Sequence, residues 1–137
     1  GWVDQSVLGI HQDQINLQSL LQGESAGELK MRCLSLTKEH GIIGVTAEVF
    51  AEYCKYIPSN FMRAGCLGDV LGYLPTDRAI TQGGYECKHS MNLFGFKGTW
   101  NESIEKQIRD TFSKLSCFVS CTLNSVPQKL CISPADR

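Results

Sequence analysis

Two tyrosines and an acid provide the most useful chemistry in this sequence, because they lie at the two ends of one short stretch. Tyr73 comes before that stretch, and Tyr85 and Glu86 follow it. A phenol can coordinate a metal ion or donate a hydrogen bond to a developing oxyanion, and a carboxylate is a metal ligand or a proton acceptor. The three side chains form a candidate catalytic site if the chain between them folds back on itself.

The residues between the tyrosines predict such a fold. A Leu-Pro step favours extended backbone at Leu74 and so ends a strand there. Thr76 can cap the helix that follows, and the double glycine at Gly83 provides left-handed backbone that ends the helix after about two turns. We therefore predict a strand, a turn and a short helix that return the second tyrosine to the vicinity of the first. The alternative is a turn that only packs the two rings against the protein.

The composition is that of a globular chain of single-domain size. Of its 137 residues, 42% are apolar and 20% are charged, and the net charge is -1. This balance gives no electrostatic basis for binding nucleic acid or an anionic membrane, since both require clustered Lys and Arg. No apolar run approaches the ~20 residues of a membrane-spanning helix. We therefore expect no nucleic-acid partner and no transmembrane segment.

The cysteine and histidine residues lack the spacing of a closed metal site. There are seven cysteines, an odd number, and no Cys-x-x-Cys pair occurs. Cys33, Cys54 and Cys66 lie in apolar segments, where a free thiol behaves as a small apolar residue. His89 is the histidine nearest the tyrosine stretch and is a further candidate ligand, although most loop histidines are solvated.

The chain divides into an arm, a folded segment and a tail. Residues 1–28 are rich in Gln and Ser and are predicted to form an N-terminal arm, with one apolar set before Gly23. The spacing of that set predicts a helix of about two or three turns. Its members are Ile15, Leu17, Leu20 and Leu21. Residues 29–115 hold the folded segment, and residues 116–137 form a C-terminal tail in which a strand at 117–123 is the alternative to irregular chain.

The first half of the folded segment predicts a hairpin followed by a helix. Residues 29–36 alternate between apolar and polar, residues 42–46 are apolar, and a polar turn joins them, which is typical of a hairpin. Thr46 then caps a predicted helix over residues 47–57.

The second half predicts a broken strand and a long helix. Three glycines interrupt the apolar run at 61–74, and residues 87–98 are expected to be irregular. Thr99 and Glu102 form a capping box for a helix that extends to about Leu115. The resulting prediction is an α+β fold, in which a small mixed sheet, made of the hairpin and a further strand, packs against about two or three helices.

Three segments together resemble the neutral/alkaline non-lysosomal ceramidase-like proteins, in the closing third of their catalytic domain. They are the octapeptide at 46–53, the glycine-containing run at 65–76, and Gly-Gly-Tyr-Glu at 83–86. The most specific piece is Gly-Tyr-Leu-Pro-Thr followed at the right distance by Gly-Gly-Tyr-Glu. The resemblance extends over residues 29–115, and neither the arm nor the tail adds to it.

The resemblance implies a zinc-dependent amide hydrolase. In that family, histidines from an earlier part of a longer chain hold the metal together with a glutamate and a tyrosine. Glu48 matches the glutamate, and Tyr73 lies beside the position expected for the tyrosine. The chain has Gly68 and Val70 where relatives commonly have Asn and Tyr, so Asp69 is the nearby carboxylate that would substitute. The implied partners are a second chain that carries the rest of the active site and a small-molecule amide or lipid substrate.

The predicted function is therefore a portion or subunit of such a hydrolase, which supplies a Glu and Tyr wall of the active site with Tyr73 and Tyr85 as catalytic candidates. The alternative is a non-catalytic binding or structural module that keeps the fold without the chemistry. A glutamate in the first turn of a helix, as predicted for Glu48, is stabilised by the helix dipole whether or not a metal is near. The resemblance and the glycosylation sequon at Asn101 favour a secreted or lumenal protein.

Overall fold

The computed structural model describes residues 6–22, 27–37 and 39–121. They form an α+β fold, in which a mixed sheet of four strands and two short strand pairs pack with helices, as the sequence predicts. In chain order, the strands are β1 (Ser6–Asn16), β2 (Leu21–Gln22), β3 (Glu28–Thr37), β4 (Gly41–Val45), β5 (Glu48–Val49), β6 (Phe61–Ala64), β7 (Tyr73–Leu74) and β8 (Thr99–Trp100). The helices are α1 (Leu17–Leu20), α2 (Asp77–Gln82), α3 (Ser90–Leu93) and α4 (Ile104–Cys121), with a 3-10 helix at Ala51–Tyr56 and a π-helical turn at Tyr85–His89.

Alternating burial defines the centre of the sheet. β3 buries Leu29, Met31 and Cys33, and β4 buries Ile43 and Val45 against the same core. The strands pair in the order β1, β3, β4, β6, with β4 and β6 parallel and the other pairs antiparallel. The predicted hairpin is confirmed, and it supplies the two central strands of the sheet.

Helix α4 covers the buried face of the sheet. The predicted capping box is wrong, because Thr99 pairs with Gln22 in the β2–β8 pair and the helix begins at Ile104. Asn101 lies just before the helix, where its Oδ1 accepts from the Ser103 amide at 3.2 Å. The apolar stripe predicted for this helix is confirmed and is fully buried against the sheet: Ile104, Ile108, Phe112 and Leu115.

In the described part of the chain, no helix is both long and apolar enough to cross a membrane.

Residues 6–22 differ from the predicted arm helix. They form edge strand β1, which pairs with β3 from Gly9 to Asn16, and only α1 is helical. The helix prediction is wrong because pairing with β3 satisfies the backbone of this segment in extended form. Of the four apolar residues that suggested a helix, Ile15 lies in the strand, and three follow it and join the core: Leu17, Leu20 and Leu21.

The helix predicted over residues 47–57 is wrong in its first half. Glu48–Val49 pairs with β7 as strand β5, and helical backbone begins only at Ala51, as a 3-10 helix. The predicted cap, Thr46, is used by the sheet instead, since its hydroxyl accepts from the Lys30 amide at 3.0 Å. The backbone of Glu48–Val49 and the hydroxyl of Thr46 thus bond to neighbouring strands, and they are not available to start a helix.

A loop separates the two short strands of the region 61–74. It follows β6, and three of its residues have positive φ, which is common only for glycine. The predicted interruption of this region is therefore confirmed. The three residues are Cys66, Gly68 and Gly72.

The remaining connections are more helical than predicted. The segment at 87–98, expected to be irregular, begins with the π-helical turn and α3. The tail predicted at 116–137 begins as the end of α4, which extends to Cys121. Residues 122–137 lie outside the described part of the chain, as does the arm before Ser6.

Substitution of Phe112 tests how far the stability of the fold depends on α4. Phe112 is fully buried, and its ring lies 6.2 Å from that of Tyr53 in an edge-to-face arrangement. Because Phe112→Ala removes this contact and leaves a cavity, we expect the free energy of unfolding to fall by about 3–5 kcal/mol. Urea unfolding followed by circular dichroism measures the change.

The matched control is Ser113→Ala, at an exposed position one residue further along the same helix. It should leave the free energy of unfolding within about 0.5 kcal/mol of the parent protein. A fall of less than about 1 kcal/mol for Phe112→Ala would contradict the packing of α4 described above.

Candidate functional site

The short β5–β7 pair brings the acid and the phenol together. Glu48 lies directly opposite Tyr73 in this parallel pair. The backbone fixes the register, because the Glu48 amide donates to the Gly72 carbonyl at 2.8 Å and the Phe50 amide donates to the Leu74 carbonyl at 3.4 Å. Directly opposite residues project their side chains from the same face of a sheet. Glu48, which matches the family's glutamate, and Tyr73, which lies beside the position expected for its tyrosine, are therefore neighbours.

The Glu48 carboxylate raises the pKa of the Tyr73 phenol. It is the largest cause of a Tyr73 pKa raised above its ordinary value of 10.0, and partial loss of water, Tyr85 and Glu86 add to the effect. Glu48 is exposed and Tyr73 is half-buried, so solvent reaches both groups. The phenol therefore remains a hydrogen-bond donor at neutral pH.

The elbow predicted after Tyr73 is confirmed. Thr76 caps α2 with its hydroxyl, which accepts from the Ala79 amide at 3.3 Å. Gly83 ends the helix at φ 75°, and its amide donates to the Ala79 carbonyl at 2.9 Å. The chain then returns, so that the Tyr85 ring lies 6.4 Å from the Tyr73 ring at an interplanar angle of 74°.

A third ring, that of Phe94, extends this surface and has no counterpart in the sequence analysis. It lies 6.3 Å from the Tyr73 ring at 77°. Gly72 permits the approach, because a Cβ there would lie 3.0 Å from Cδ2 of Phe94 and the backbone has φ 118°. The available signal is the four-residue spacing of Cys87 and Met91, both buried, which indicates the helical turns before Phe94. We name these three rings the aromatic corner: Tyr73, Tyr85 and Phe94.

A buried tyrosine anchors the elbow to the core. Tyr53 is fully buried, and its hydroxyl donates to the Pro75 carbonyl at 2.8 Å. Burial, with a smaller effect of nearby carboxylates, raises the pKa of this phenol, so the hydroxyl keeps its proton. Its ring also packs on Phe112 of α4. The turn before α2 is thus held from inside the protein.

Two acids, Asp77 and Glu105, cap each other's helices. The Asp77 amide donates to Oε2 of Glu105 at 2.9 Å, and the Glu105 amide donates to Oδ1 of Asp77 at 3.4 Å. Lys55 Nζ lies 2.9 Å from Oε1 of Glu105, and the Tyr56 hydroxyl donates to the same oxygen. Acids are favoured at helix N-termini, where free amides and the helix dipole are both positive. This reciprocal cap joins α2, and with it the elbow, to α4.

The other candidate residues lie around this surface without converging. Glu86 is exposed beside Tyr85 and contributes to the raised pKa of Tyr73. Asp69 is exposed in the loop between β6 and β7, and His89 is exposed at the end of the π-helical turn. Among the residues that the structure describes, no three His, Cys, Asp or Glu side chains form a group that could hold a metal ion.

The pair of Glu48 and Tyr73 fits one part of a zinc site. Catalytic zinc commonly has three protein ligands and a water molecule, and it accepts carboxylate oxygen among them. The pair offers two oxygen donors on adjacent strands, and both are open to solvent. The remaining ligands would have to come from outside the described residues. This donor set therefore fits a metal only as one wall of a shared site.

The thiols divide into buried and exposed groups. Cys33 and Cys87 are buried, and burial raises the pKa of Cys33 to about 11 and raises that of Cys87 as well. Both thus behave as small apolar residues rather than as nucleophiles. The sequence also predicted that Cys54 and Cys66 behave as small apolar residues, and this is wrong because both are exposed.

The coupling of Glu48 to Tyr73 can be tested by titration. Because the Glu48 carboxylate is the main cause of the raised Tyr73 pKa, we expect Glu48→Gln to lower that pKa towards its ordinary value. NMR titration of the tyrosine ring carbons measures the change. Glu39→Gln, at the exposed turn before β4, is the control and should leave the Tyr73 pKa where it is. An unchanged Tyr73 pKa in Glu48→Gln would show that the two side chains do not interact.

The acid pair makes a pH-dependent contribution to stability. Burial opposes ionisation of Glu105, but hydrogen bonds from Tyr56 and Lys55 outweigh it and lower the pKa below the ordinary value of 4.5. The contribution is therefore present above that ordinary value and is lost as the pH falls through the lowered pKa. At pH 7 we expect Glu105→Gln to reduce the free energy of unfolding by about 1–3 kcal/mol.

Urea unfolding of both proteins at neutral and acidic pH measures this difference, which should shrink below about pH 4. The matched control is Glu102→Gln, an exposed glutamate just before the same helix, which should change stability by no more than about 0.5 kcal/mol. A Glu105→Gln effect that is the same at both pH values would rule out the ionised cap as its cause.

Comparison with known proteins assigns no family to this geometry. No family model, no curated protein and no solved structure matches the chain.

Proposed function

We propose that this chain supplies one wall of the active site of a zinc-dependent amide hydrolase, as a portion or subunit of a larger assembly. The observation that carries the proposal is the placement of Glu48 directly opposite Tyr73, with solvent access to both side chains. The resemblance to ceramidase-like proteins implies Glu48 as a ligand, and Tyr73 lies beside the position that it implies for the tyrosine ligand. Tyr85 supports the proposal further, because the elbow returns it to the side of Tyr73.

Each residue of the wall has a role that its surroundings support. Glu48 would be one ligand of the metal, and Tyr73 would be a second ligand or a hydrogen-bond donor. Bound zinc supplies a water molecule of lowered pKa as the nucleophile for an amide carbonyl. The Tyr73 phenol, whose pKa Glu48 raises above its ordinary value, can donate to the carbonyl oxygen as negative charge develops on it. Tyr85 packs edge-on against this ring and restricts its orientation.

The rest of the site comes from elsewhere in this proposal. The missing ligands belong to a second chain or to another part of a longer chain, and the substrate is a small-molecule amide or lipid. A secreted or lumenal setting is favoured by the resemblance and by the sequon at Asn101. That asparagine is half-buried, and its side-chain amide donates to the Ser19 carbonyl at 3.2 Å, so a glycan there would replace this bond.

A non-catalytic binding or structural module is the second candidate function. The observation that favours it is the loop where relatives carry Asn and Tyr. Gly68 and Val70 stand there instead, both exposed, and no atom comes within 4 Å of the position that a Cβ on Gly68 would take. No side chain at this point adds a donor to Glu48 and Tyr73. In this function the same surface binds a ligand without hydrolysing it.

Native mass spectrometry of the protein as isolated separates the two functions. We expect a complex that contains zinc and a further chain, and amide turnover that depends on the metal. In that assembly, Glu48→Gln should reduce turnover by about a hundredfold or more, because loss of even an outer partner of a metal ligand costs about 10–100-fold. Glu39→Gln, in the exposed turn before β4, is the control and should leave turnover within about twofold of the parent.

Undiminished turnover in Glu48→Gln would remove Glu48 from the site and overturn the hydrolase proposal in this form. A complex that contains no zinc and cleaves no amide would leave the binding module as the function.

A further inference from the structure

We propose that the aromatic corner and the two carboxylates beside it, Glu48 and Glu86, form a binding site for an organic ammonium ion. This inference goes beyond the proposed hydrolase, because it requires neither a metal ion nor a second chain. It rests on the arrangement of the rings, on their exposure, on the charges next to them, and on a similar arrangement elsewhere in the same molecule.

Two rings lie close to the Tyr73 ring and at steep angles to it. Tyr85 and Phe94 both stand nearly perpendicular to Tyr73, at 74° and 77°, with centroids 6.4 Å and 6.3 Å from its own. An ammonium group is attracted to an aromatic face within about 6 Å of the ring centroid. A cation beside Tyr73 can therefore interact with two rings at once. The arrangement resembles an open cage.

The rings remain accessible to such a ligand. Tyr85 is 50% exposed and Phe94 is 38% exposed. Rings whose only role is packing are usually covered, since burying an aromatic side chain is strongly favourable. Leu93, the residue before Phe94, is 74% exposed. The corner thus offers apolar surface to the carbon atoms of an alkylated ammonium ion as well as ring faces to its charge.

The charges beside the rings favour a cation. Glu48 and Glu86 are exposed carboxylates that both act on Tyr73, and within the described residues neither forms an ion pair. Two basic residues lie near these carboxylates: Arg63 is near Glu48 in space, and Lys88 is near Glu86 in sequence. The Arg63 guanidinium donates to the Val49 and Phe50 carbonyls at 3.3 and 2.9 Å. Lys88 Nζ is 3.7 Å from the position that a Cβ on Gly83 would take.

Elsewhere in the molecule, an aromatic ring and a carboxylate already bind a cation, the ammonium group of Lys55. Lys55 Nζ lies 4.7 Å from the centroid of the Tyr56 ring, and Arg109 lies 5.9 Å from it. The Glu105 carboxylate binds Lys55 and accepts from the Tyr56 hydroxyl. Here a ring and a carboxylate hold a cation that the protein supplies itself. The aromatic corner has the rings and carboxylates, and in the described part of the chain no Lys or Arg is recorded over them.

An organic cation fits this site better than an inorganic one. A small metal ion needs several converging oxygen or nitrogen ligands, and no such group is found among the described residues. An alkylammonium ion needs ring faces, apolar contact and a nearby negative charge, all of which the corner provides. The expected ligand class is therefore a primary to quaternary ammonium compound, bound at the surface with modest affinity.

The test compares choline with its neutral isostere, 3,3-dimethylbutan-1-ol, on the full chain at constant ionic strength without added metal. NMR spectra of the aromatic side chains report binding at Tyr73, Tyr85 and Phe94 directly. We expect choline to cause saturable shifts in these rings, and the alcohol to bind at least about threefold more weakly, because it lacks the charge. Equal binding of the two compounds, or shifts that never saturate, would overturn the proposal.

Variants at Tyr85 keep the test independent of folding. Tyr85→Leu should weaken choline binding by about three- to tenfold, whereas Tyr85→Phe should retain it, because the ring face is kept. Backbone NMR spectra of both variants show whether the fold is intact. Choline binding that survives in a folded Tyr85→Leu protein contradicts the proposal. Since no metal is added, failure here leaves the hydrolase proposal standing, and failure of the zinc experiment leaves this one standing.

Discussion

The functional surface depends on one short parallel pairing, that of β5 with β7, in which two residues of each strand take part. A pairing of this length has little stability of its own. Adjacent backbone bonds extend it, because the Leu67 amide donates to the Val45 carbonyl at 2.9 Å and the Leu71 amide donates to the Thr46 carbonyl at 3.0 Å. The whole return path from β6 to β7 is thereby fixed to residues 45–50. The relative position of the acid and the phenol is consequently set by the backbone, and their side chains do not have to hold it.

The stability of the elbow comes from its buried side. The Tyr53 hydroxyl bond to Pro75 and the reciprocal cap between Asp77 and Glu105 are hydrogen bonds, which contribute about 0.5–3 kcal/mol each. Burial of a single aromatic ring such as Phe112 contributes a similar or larger amount, and α4 buries a complete stripe. Packing therefore holds the elbow in place, and hydrogen bonds set its orientation. This division leaves the exposed residues of the site free to serve binding rather than folding.

Sequence signals succeeded where structure is decided locally. The Leu-Pro step, the hydroxyl of Thr76 and the left-handed Gly83 each act within a few residues, and the elbow they predict is present. The first half of the helix predicted over residues 47–57 is wrong for a non-local reason, since the Lys30 amide donates to the hydroxyl of its predicted cap, Thr46. Edge strand β1 was missed in the same way, because its pairing with β3 cannot be read from spacing within the segment. For the site, the sequence placed both tyrosines but not Phe94, whose approach depends on a glycine 22 positions away.

Both proposals for this surface follow from one electrostatic condition. Glu48 and Glu86 lie beside Tyr73, and in the described residues no ion pair neutralises them, so the surface attracts positive charge. Which cation binds is then decided by the other groups present. The corner by itself supplies two kinds of oxygen donor and three ring faces, a set that suits a weakly hydrated organic ammonium ion better than a metal. Histidine ligands from another chain would reverse that preference, because zinc gains most from nitrogen ligands that converge on it. In these two proposals, zinc and an organic cation would compete for the Glu48 carboxylate, and assembly with a partner would select between them.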